Sequence, residues 1–156
     1  AMQHHTGAPM TTTKWFGISL AFVAALLTAP REGNSCGLQY DGTNPHTTGC
    51  DANATTICKA TLCDALGMIC SAKVELRYST TCHTAWSRIT GGFPAGGISA
   101  ARIHRNQDDC WYEHAGFFSA GYSSQLYDGV GKSAYAHGFT QSSRGEIDLA
   151  ADTCSW

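Results

Sequence analysis

Eight cysteines constrain the fold of this chain more than any other sequence feature. A zinc site would need paired C-x2-C spacings, whereas the closest two cysteines, Cys58 and Cys63, are separated by four residues. An even set of this size in a small chain instead predicts four disulfides formed in an oxidising compartment. We therefore expect structural disulfides, no metal and no other cofactor, with the pairing left open. The eight positions are Cys36, Cys50, Cys58, Cys63, Cys70, Cys82, Cys110 and Cys154.

The composition favours one small exported β domain and argues against a nucleic-acid partner. The chain has 156 residues, with 10 Lys and Arg against 12 Asp and Glu, so it has no positive excess to attract a polyanion. Charged residues make up 14% of the chain and glycines number 17, a balance typical of small β-rich exported domains. We expect a single disulfide-rich β domain over residues 36–156.

Residues 1–35 are predicted to be a leader or an apolar N-terminal arm. Lys14 precedes an apolar run over residues 15–29 and then the breaker Pro30, which is the order of a secretory signal peptide. The run is shorter than the roughly 20 apolar residues of a membrane span. Secretion to the extracellular space is the simplest interpretation, with a mature start near Cys36. The alternative is a retained arm, which would need a partner, a membrane or the domain itself to cover it.

The period-two run at residues 74–79 is predicted to be the central strand. Val74, Leu76 and Tyr78 alternate with polar residues, which indicates one buried and one wet face. Trp86 follows Cys82 after one short turn and is expected to be a core residue.

Other segments complete the predicted fold, which is mainly β, a small disulfide-stapled sandwich or open barrel of about six to eight strands. Residues 98–105 and 110–118 are predicted to be strands, and two short strands are expected around the hairpin signal Asp128-Gly129. Residues 57–70 are interpreted as an inserted hairpin or short helix, and the glycine-rich stretch 90–100 as a connection.

The stretch from Cys36 to Cys50 contains the turn signals Asp41-Gly42 and Asn44-Pro45. The side chains of Asp41 and Asn44 are expected to form Asx turns, because a calcium loop would need a closer series of oxygen ligands. Asn53 begins an N-glycosylation sequon, which is relevant only if the source glycosylates.

Three stretches carry a resemblance to a known family: YDGTNPHTTGC at 40–50, VELRYSTTCHTAWSRI at 74–89 and QLYDGVGKSAYAHG at 125–138. The chain resembles an uncharacterised family of small exported bacterial proteins, common in actinobacteria and also present in bacilli. Its hallmarks are D-G-x-x-P…T-G-C, L-R-Y-S-x-x-C-x-T-A-W-x-R, and a Y-D pair before A-Y-A-x-G. The resemblance, which runs from Cys36 to the end, implies export, a compact disulfide-stapled β domain and no established catalytic residue. The cysteine-rich stretch Ile57–Cys70 departs from the family pattern.

No residue pattern in the sequence marks a catalytic centre. The chain lacks G-x-S-x-G and H-E-x-x-H, and the cysteines are expected to be committed to disulfides. His83, Asp128 and His137 are the polar candidates inside the motifs. For His83 a hydrogen bond to the corner backbone is the expected role, and for Asp128 the initiation of a turn.

The function expected from the sequence is a non-enzymatic secreted interaction or adaptor module of an extracellular or cell-surface assembly. Its partner would be another secreted or surface protein, bound through the arm at residues 3–30. The alternative is a cell-envelope glycan-binding module that uses aromatic rings as platforms, and a small secreted hydrolase is third. The candidate ligand-binding residues are Trp111, Tyr112, Tyr127 and His83, with Trp111 and Tyr112 on opposite faces of one strand.

Overall fold

The computed structural model describes residues 31–32, 36–93, 97–145 and 147–156, which contain ten strands and no helix. The mainly β prediction is confirmed. More strands are present than expected because three of them have only two or three residues. The strands are β1 Arg31–Glu32, β2 Thr55–Cys63, β3 Cys70–Ser79, β4 Thr84–Thr90, β5 Ile98–Arg105, β6 Cys110–Gly116, β7 Ala120–Tyr122, β8 Leu126–Tyr127, β9 Ala134–Gln141 and β10 Asp148–Asp152.

The ten strands form one antiparallel sheet that curls into a nearly closed barrel. The order is β1-β6-β5-β9-β10-β2-β3-β4-β7, with β8 also paired to β4. Strand β4 lies against β5 and β9 across the interior. The consecutive strands β6 and β7 do not pair with each other, because β6 pairs with β5 and β1, whereas β7 pairs with β4. The barrel is therefore open between β7 and the edge that β6 forms with the two-residue strand β1, and we call this opening the seam.

The predicted central strand, residues 74–79, is the C-terminal part of β3, and its alternation gives it one buried face as expected. Val74, Leu76 and Tyr78 are buried in the barrel core. Trp86 is buried as well, only 2% exposed, but it pairs with Arg77 on the opposite face of the sheet. Trp86 is thus a buried residue of the outer face rather than a plug of the barrel interior, since side chains alternate across a strand.

Two interpretations of local structure are corrected. The 57–70 stretch does form a hairpin, between β2 and β3, but it is not a peripheral insertion, because β2 lies between β10 and β3 inside the sheet. The strands around Asp128-Gly129 do not form a hairpin. Strand β8 pairs with β4, while β9 is already paired on both edges, with β5 and β10.

All eight cysteines form disulfides, which confirms the sequence prediction. Two bridges, Cys36–Cys110 and Cys50–Cys82, hold the 36–54 loop to the barrel, and Cys58–Cys154 holds the C-terminal segment to β2. The fourth, Cys63–Cys70, closes the β2–β3 hairpin. Four disulfides indicate that the protein folds in an oxidising environment.

Several sequence expectations lie outside the described residues. These are the leader or arm, apart from β1, and Pro94 in the 90–100 connection. In the part of the chain that the structure describes, no helix is long and apolar enough to cross a membrane.

We predict that Gly138→Ala destabilises the barrel by about 1–3 kcal/mol, because a Cβ at this position overpacks the interior. It would lie 2.7 Å from Cβ of Val74 and 3.1 Å from a methyl group of Leu62. Urea unfolding measures the effect. The control is Gly116→Ala, whose added Cβ would meet only Phe118, at an ordinary 3.6 Å. Equal stability of the two variants would contradict this account of the packing.

Candidate functional site

The two neighbouring aromatic candidates of β6 lie on opposite faces, as predicted. Tyr112 is 4% exposed and belongs to the barrel core, so its ring presents no surface to solvent. Trp111 is half-buried on the outer face, where the guanidinium of Arg102 lies 4.8 Å from its ring centroid. Trp111 therefore already has a cation stacked on its ring.

The other two candidates, His83 and Tyr127, meet at the corner between β3 and β4. Residue Thr84 pairs with Tyr127, and the backbone N–H of Asp128 donates to the carbonyl of His83 at 2.7 Å. His83 has a positive φ of 52°, and its Nδ1 lies 3.2 Å from the hydroxyl of Tyr78. This corner joins two segments that are far apart in sequence, residues 78–84 and 127–128.

His137, the remaining polar candidate, lies elsewhere. It is on the outer side of β9, where its Nδ1 is 2.7 Å from a carboxylate oxygen of Asp152. His137 and the His83 corner are therefore separate features of the molecule.

A buried ion pair that sequence reasoning missed lies beside this corner. The side chain of Arg105 is 0% exposed and that of Asp41 is 1% exposed. Both terminal nitrogens of Arg105 donate to Asp41, each at 3.1 Å, and its Nε donates to Asp108 at 2.8 Å. One nitrogen also donates to the carbonyl of Tyr127 at 2.9 Å. These bonds join β5, the β5–β6 turn, β8 and the 36–54 loop at one buried cation.

Asn44 forms the expected Asx turn, because its side-chain oxygen accepts the N–H of His46 at 2.9 Å. The expectation of an Asx turn is wrong for Asp41. Its carboxylate accepts the backbone N–H groups of Gly37 and Leu38, at 3.2 and 3.0 Å, and that of Tyr127 at 2.7 Å. A carboxylate with so many donors is strongly held. The D-G dipeptide indicates the turn, while the tertiary fold provides the arginine.

Asp128 is the least satisfied ionisable group of the corner. It is 4% exposed, and neither of its carboxylate oxygens has a hydrogen-bond partner among the described residues. Burial raises the pKa of Asp128 from 3.8 to about 6, although attraction to Arg105 opposes the rise. Burial, followed by the charge of Asp128, also raises the pKa of Tyr78. The corner therefore changes its charge in the mildly acidic range.

The opposite end of the barrel carries exposed apolar side chains. We call it the apolar end and define it by Leu66, Met68 and Ile69 of the β2–β3 loop and Phe117 of the β6–β7 loop. These four belong to seven large apolar residues that are exposed in the described chain, and their exposed fractions are 79%, 79%, 44% and 66%.

The β2–β3 and β6–β7 loops of the apolar end lie near each other, because the β4–β5 connection contacts both. A Cβ on Gly91 would lie 3.2 Å from the carbonyl oxygen of Ser71, at the base of the β2–β3 hairpin. The N–H of Gly92 donates to the carbonyl of Ser119 at 2.9 Å, in the β6–β7 loop. The exposed apolar residues therefore occupy one continuous end of the molecule.

The tip of the β2–β3 hairpin is held in one shape. The Cys63–Cys70 disulfide closes its base, and the carboxylate of Asp64 accepts the N–H groups of Met68 and Ile69, at 2.7 and 3.3 Å. Gly67 has a φ of +68° and donates its N–H to the carbonyl of Asp64 at 2.9 Å. A loop fixed in this way presents its apolar side chains without needing to become ordered on binding.

Comparison with known proteins places the chain in a family. The profile of the family described as Protein of unknown function (DUF2690) matches residues 38–136. The chain belongs to this family. A family relationship was predicted from the three motif stretches, and it is confirmed.

The similarity extends beyond the matched range. The uncharacterized protein YjfA of Bacillus subtilis (strain 168) is 30% identical over 131 residues, covering 77% of this chain and 82% of that protein. No solved structure matches the chain. The range matched to the DUF2690 family includes the buried Arg105 cluster, Asp128 and the β2–β3 hairpin.

We predict that Arg105→Met lowers the free energy of unfolding by about 3–5 kcal/mol, because it leaves the carboxylate of Asp41 buried without its cation. Asp41→Asn alone should also lower the free energy of unfolding. The double variant should lower it by less than the sum of the two single effects, since neither charge is then left alone. Chemical denaturation of the four proteins provides the test, and strictly additive losses would contradict the coupling.

We predict that Asp128 makes the protein less stable as the pH rises through the mildly acidic range. The folded chain holds the proton up to about pH 6, whereas the unfolded chain releases it near 3.8. The stability of wild type relative to Asp128→Asn should therefore fall by about 3 kcal/mol across this range.

Thermal or urea unfolding at a series of pH values measures that difference. Asp148→Asn, at an exposed position of β10, serves as the control for removing one carboxylate from the net charge. Parallel stability curves for wild type and Asp128→Asn would show that the buried carboxyl has no such effect.

Proposed function

We propose that this protein is a secreted, non-enzymatic interaction module that docks onto another extracellular or cell-surface protein through its apolar end. The observation that supports this proposal is the rigid hairpin tip. Leu66, Met68 and Ile69 are exposed to water on a loop that a disulfide and the carboxylate of Asp64 hold in place. An exposed apolar patch on an ordered loop is typical of an interaction site.

Four disulfides and the lysine-plus-apolar run before Pro30 support secretion. The intact mass of the protein from culture fluid tests this point directly, with a start near Cys36 expected. The arm at residues 3–30, the docking segment expected from the sequence, lies outside the described residues. The apolar end lies in the barrel itself, so docking through it does not require the arm.

The charges of the apolar end favour a protein partner over an anionic membrane. Its two loops, residues 64–69 and 117–119, contain one charged residue, Asp64, and no basic residue. Binding to anionic lipid is driven by clusters of basic residues next to the apolar ones. The partner is therefore expected to offer an apolar groove that accepts the hairpin tip.

Site-specific photo-crosslinking in the source cells tests the proposal. A benzophenone side chain at position 68 should form a discrete product with one extracellular protein. The matched control is position 130, because Val130 is fully exposed but lies in the loop before β9, at the opposite end of the barrel. Equal labelling from the two positions would contradict docking through the hairpin tip.

A variant of the tip separates docking from folding. Leu66→Ser combined with Ile69→Ser should abolish the product formed at position 68. Because both side chains are exposed, the unfolding free energy should change by no more than about 0.5 kcal/mol for each substitution. Retention of the product in this variant, or binding to anionic vesicles in place of a protein, would refute the proposal.

A further inference from the structure

The seam of the barrel encloses a cavity that is separate from the apolar end. Its volume is about 410 Å³, within the range of roughly 300–1,000 Å³ typical of small-molecule sites. His114 of β6 lines one wall and Ala120 to Tyr122 of β7 line the other, while Gly42 and Asn44 of the 36–54 loop also contribute. The cavity thus lies between β6 and β7, which do not pair with each other.

The 36–54 loop is fixed against this seam by hydrogen bonds. The N–H of Gly42 donates to the carbonyl of Gln125 at 3.0 Å, and the N–H of Gln125 donates to the carbonyl of Thr43 at 2.9 Å. The amide of Gln125, which is fully buried, donates to the hydroxyls of Thr43 and Thr48. The cavity is therefore preformed rather than assembled by a mobile loop.

Glycine at position 121 is required by the wall of the cavity. A Cβ there would lie 2.6 Å from the ring of Phe118. The ring of Phe118 is free to stack on His114, with centroids 5.1 Å apart and planes inclined by 20°. The small residue thus allows an aromatic pair to form one side of the cavity.

The lining has no permanently charged side chain. No Asp, Glu, Lys or Arg is found among the described residues that line the cavity, so recognition depends on aromatic rings and hydrogen-bonding groups. The lining instead combines two aromatic rings, Phe118 and Tyr122, with hydrogen-bonding groups of Asn44, His114 and Ser124. A ligand that suits it has apolar C–H faces and several uncharged hydroxyl groups.

Some of these polar groups retain unused hydrogen-bonding capacity. The amide of Asn44 donates to the hydroxyl of Tyr122 over a long 3.4 Å. Within the described chain, neither the ring nitrogens of His114 nor the hydroxyl of Ser124 forms a hydrogen bond. These groups offer both donors and acceptors, and a sugar hydroxyl can act as either.

We propose that the seam cavity binds a neutral sugar unit, stacked against Tyr122 and hydrogen-bonded by Asn44, His114 and Ser124. The negative face of an aromatic ring attracts the electropositive C–H groups of a pyranose. The outer face is less suited to this role, because Arg102 already covers the ring of Trp111. This binding is independent of the proposed docking, since the two sites share no residue.

Titration of the folded protein with uncharged sugars, followed by amide NMR, tests the proposal. The probes are N,N′-diacetylchitobiose, cellobiose, maltose and glucose, with glucose 6-phosphate as a charged counterpart. At least one neutral sugar should shift the amide signals of His114 and residues 120–124 in a saturable way. Absence of such shifts with every neutral probe at millimolar concentration, or binding of the phosphorylated sugar alone, would overturn it.

Variants locate the binding. Tyr122→Ala and His114→Ala should each weaken it by about tenfold, the loss of one good contact. Because Ala120 is exposed and lines the cavity, Ala120→Phe should block binding by filling the mouth without removing any packing. Tyr135→Ala, on the outer face of β9, is the matched aromatic control and should leave the affinity unchanged.

Two results would place the sugar elsewhere and refute the proposal. One is unchanged affinity in Ala120→Phe with a native-like spectrum. The other is loss of binding in Tyr135→Ala while Tyr122→Ala still binds. The Leu66→Ser, Ile69→Ser variant should bind sugar like the wild type, so failure of the docking proposal and failure of this one are distinguishable.

Discussion

The buried pair of Arg105 and Asp41 is the interaction on which the end of the barrel beside the β3–β4 corner depends. A guanidinium removed from water is stable only when its donors are matched by acceptors. Here two carboxylates and one backbone carbonyl accept from it, and they come from three separate segments. The 36–54 loop is therefore fixed to the barrel by a geometric match that few alternative arrangements could satisfy, and the covalent bridges at Cys36 and Cys50 reinforce it.

This fixed loop has consequences at two places in the molecule, the seam and the β3–β4 corner. At the seam, it brings Gly42 and Asn44 to the gap between β6 and β7. These residues close part of the gap and give the cavity its lining. At the corner, the same cation lies near Asp128, which it partly stabilises without a hydrogen bond. The β2–β3 hairpin tip of the apolar end is stabilised independently, by its own disulfide and by the carboxylate of Asp64.

Much of the fold could be predicted from local patterns, and the failures share a physical cause. The alternation of Val74, Leu76 and Tyr78 correctly indicated a strand with one buried face. The pairing of β8 with β4 was missed, because Asp128-Gly129 has the composition of a hairpin turn whichever strands happen to be adjacent. Burial of Trp86 was foreseen but its face was not, since that depends on which side of the sheet later segments cover.

The candidate sites were harder to predict for the same reason. Tyr122 was recognisable only as one of several aromatic residues in the chain, and nothing local distinguished it from Tyr112, which is in the core. The apolar tip had a local signal, since Leu66 lies between two cysteines close in sequence. It was obscured because the same apolar spacing also suits a helical turn.

The sequence by itself determined the β class and the commitment of every cysteine to a disulfide, and with that an oxidising folding environment, because these follow from residue types and short-range alternation. Only the tertiary structure decided which cysteines pair, where the barrel stays open, and that Asp41 faces Arg105 across 64 positions. Long-range contacts depend on how all the strands close together, and no local stretch of chain contains that information.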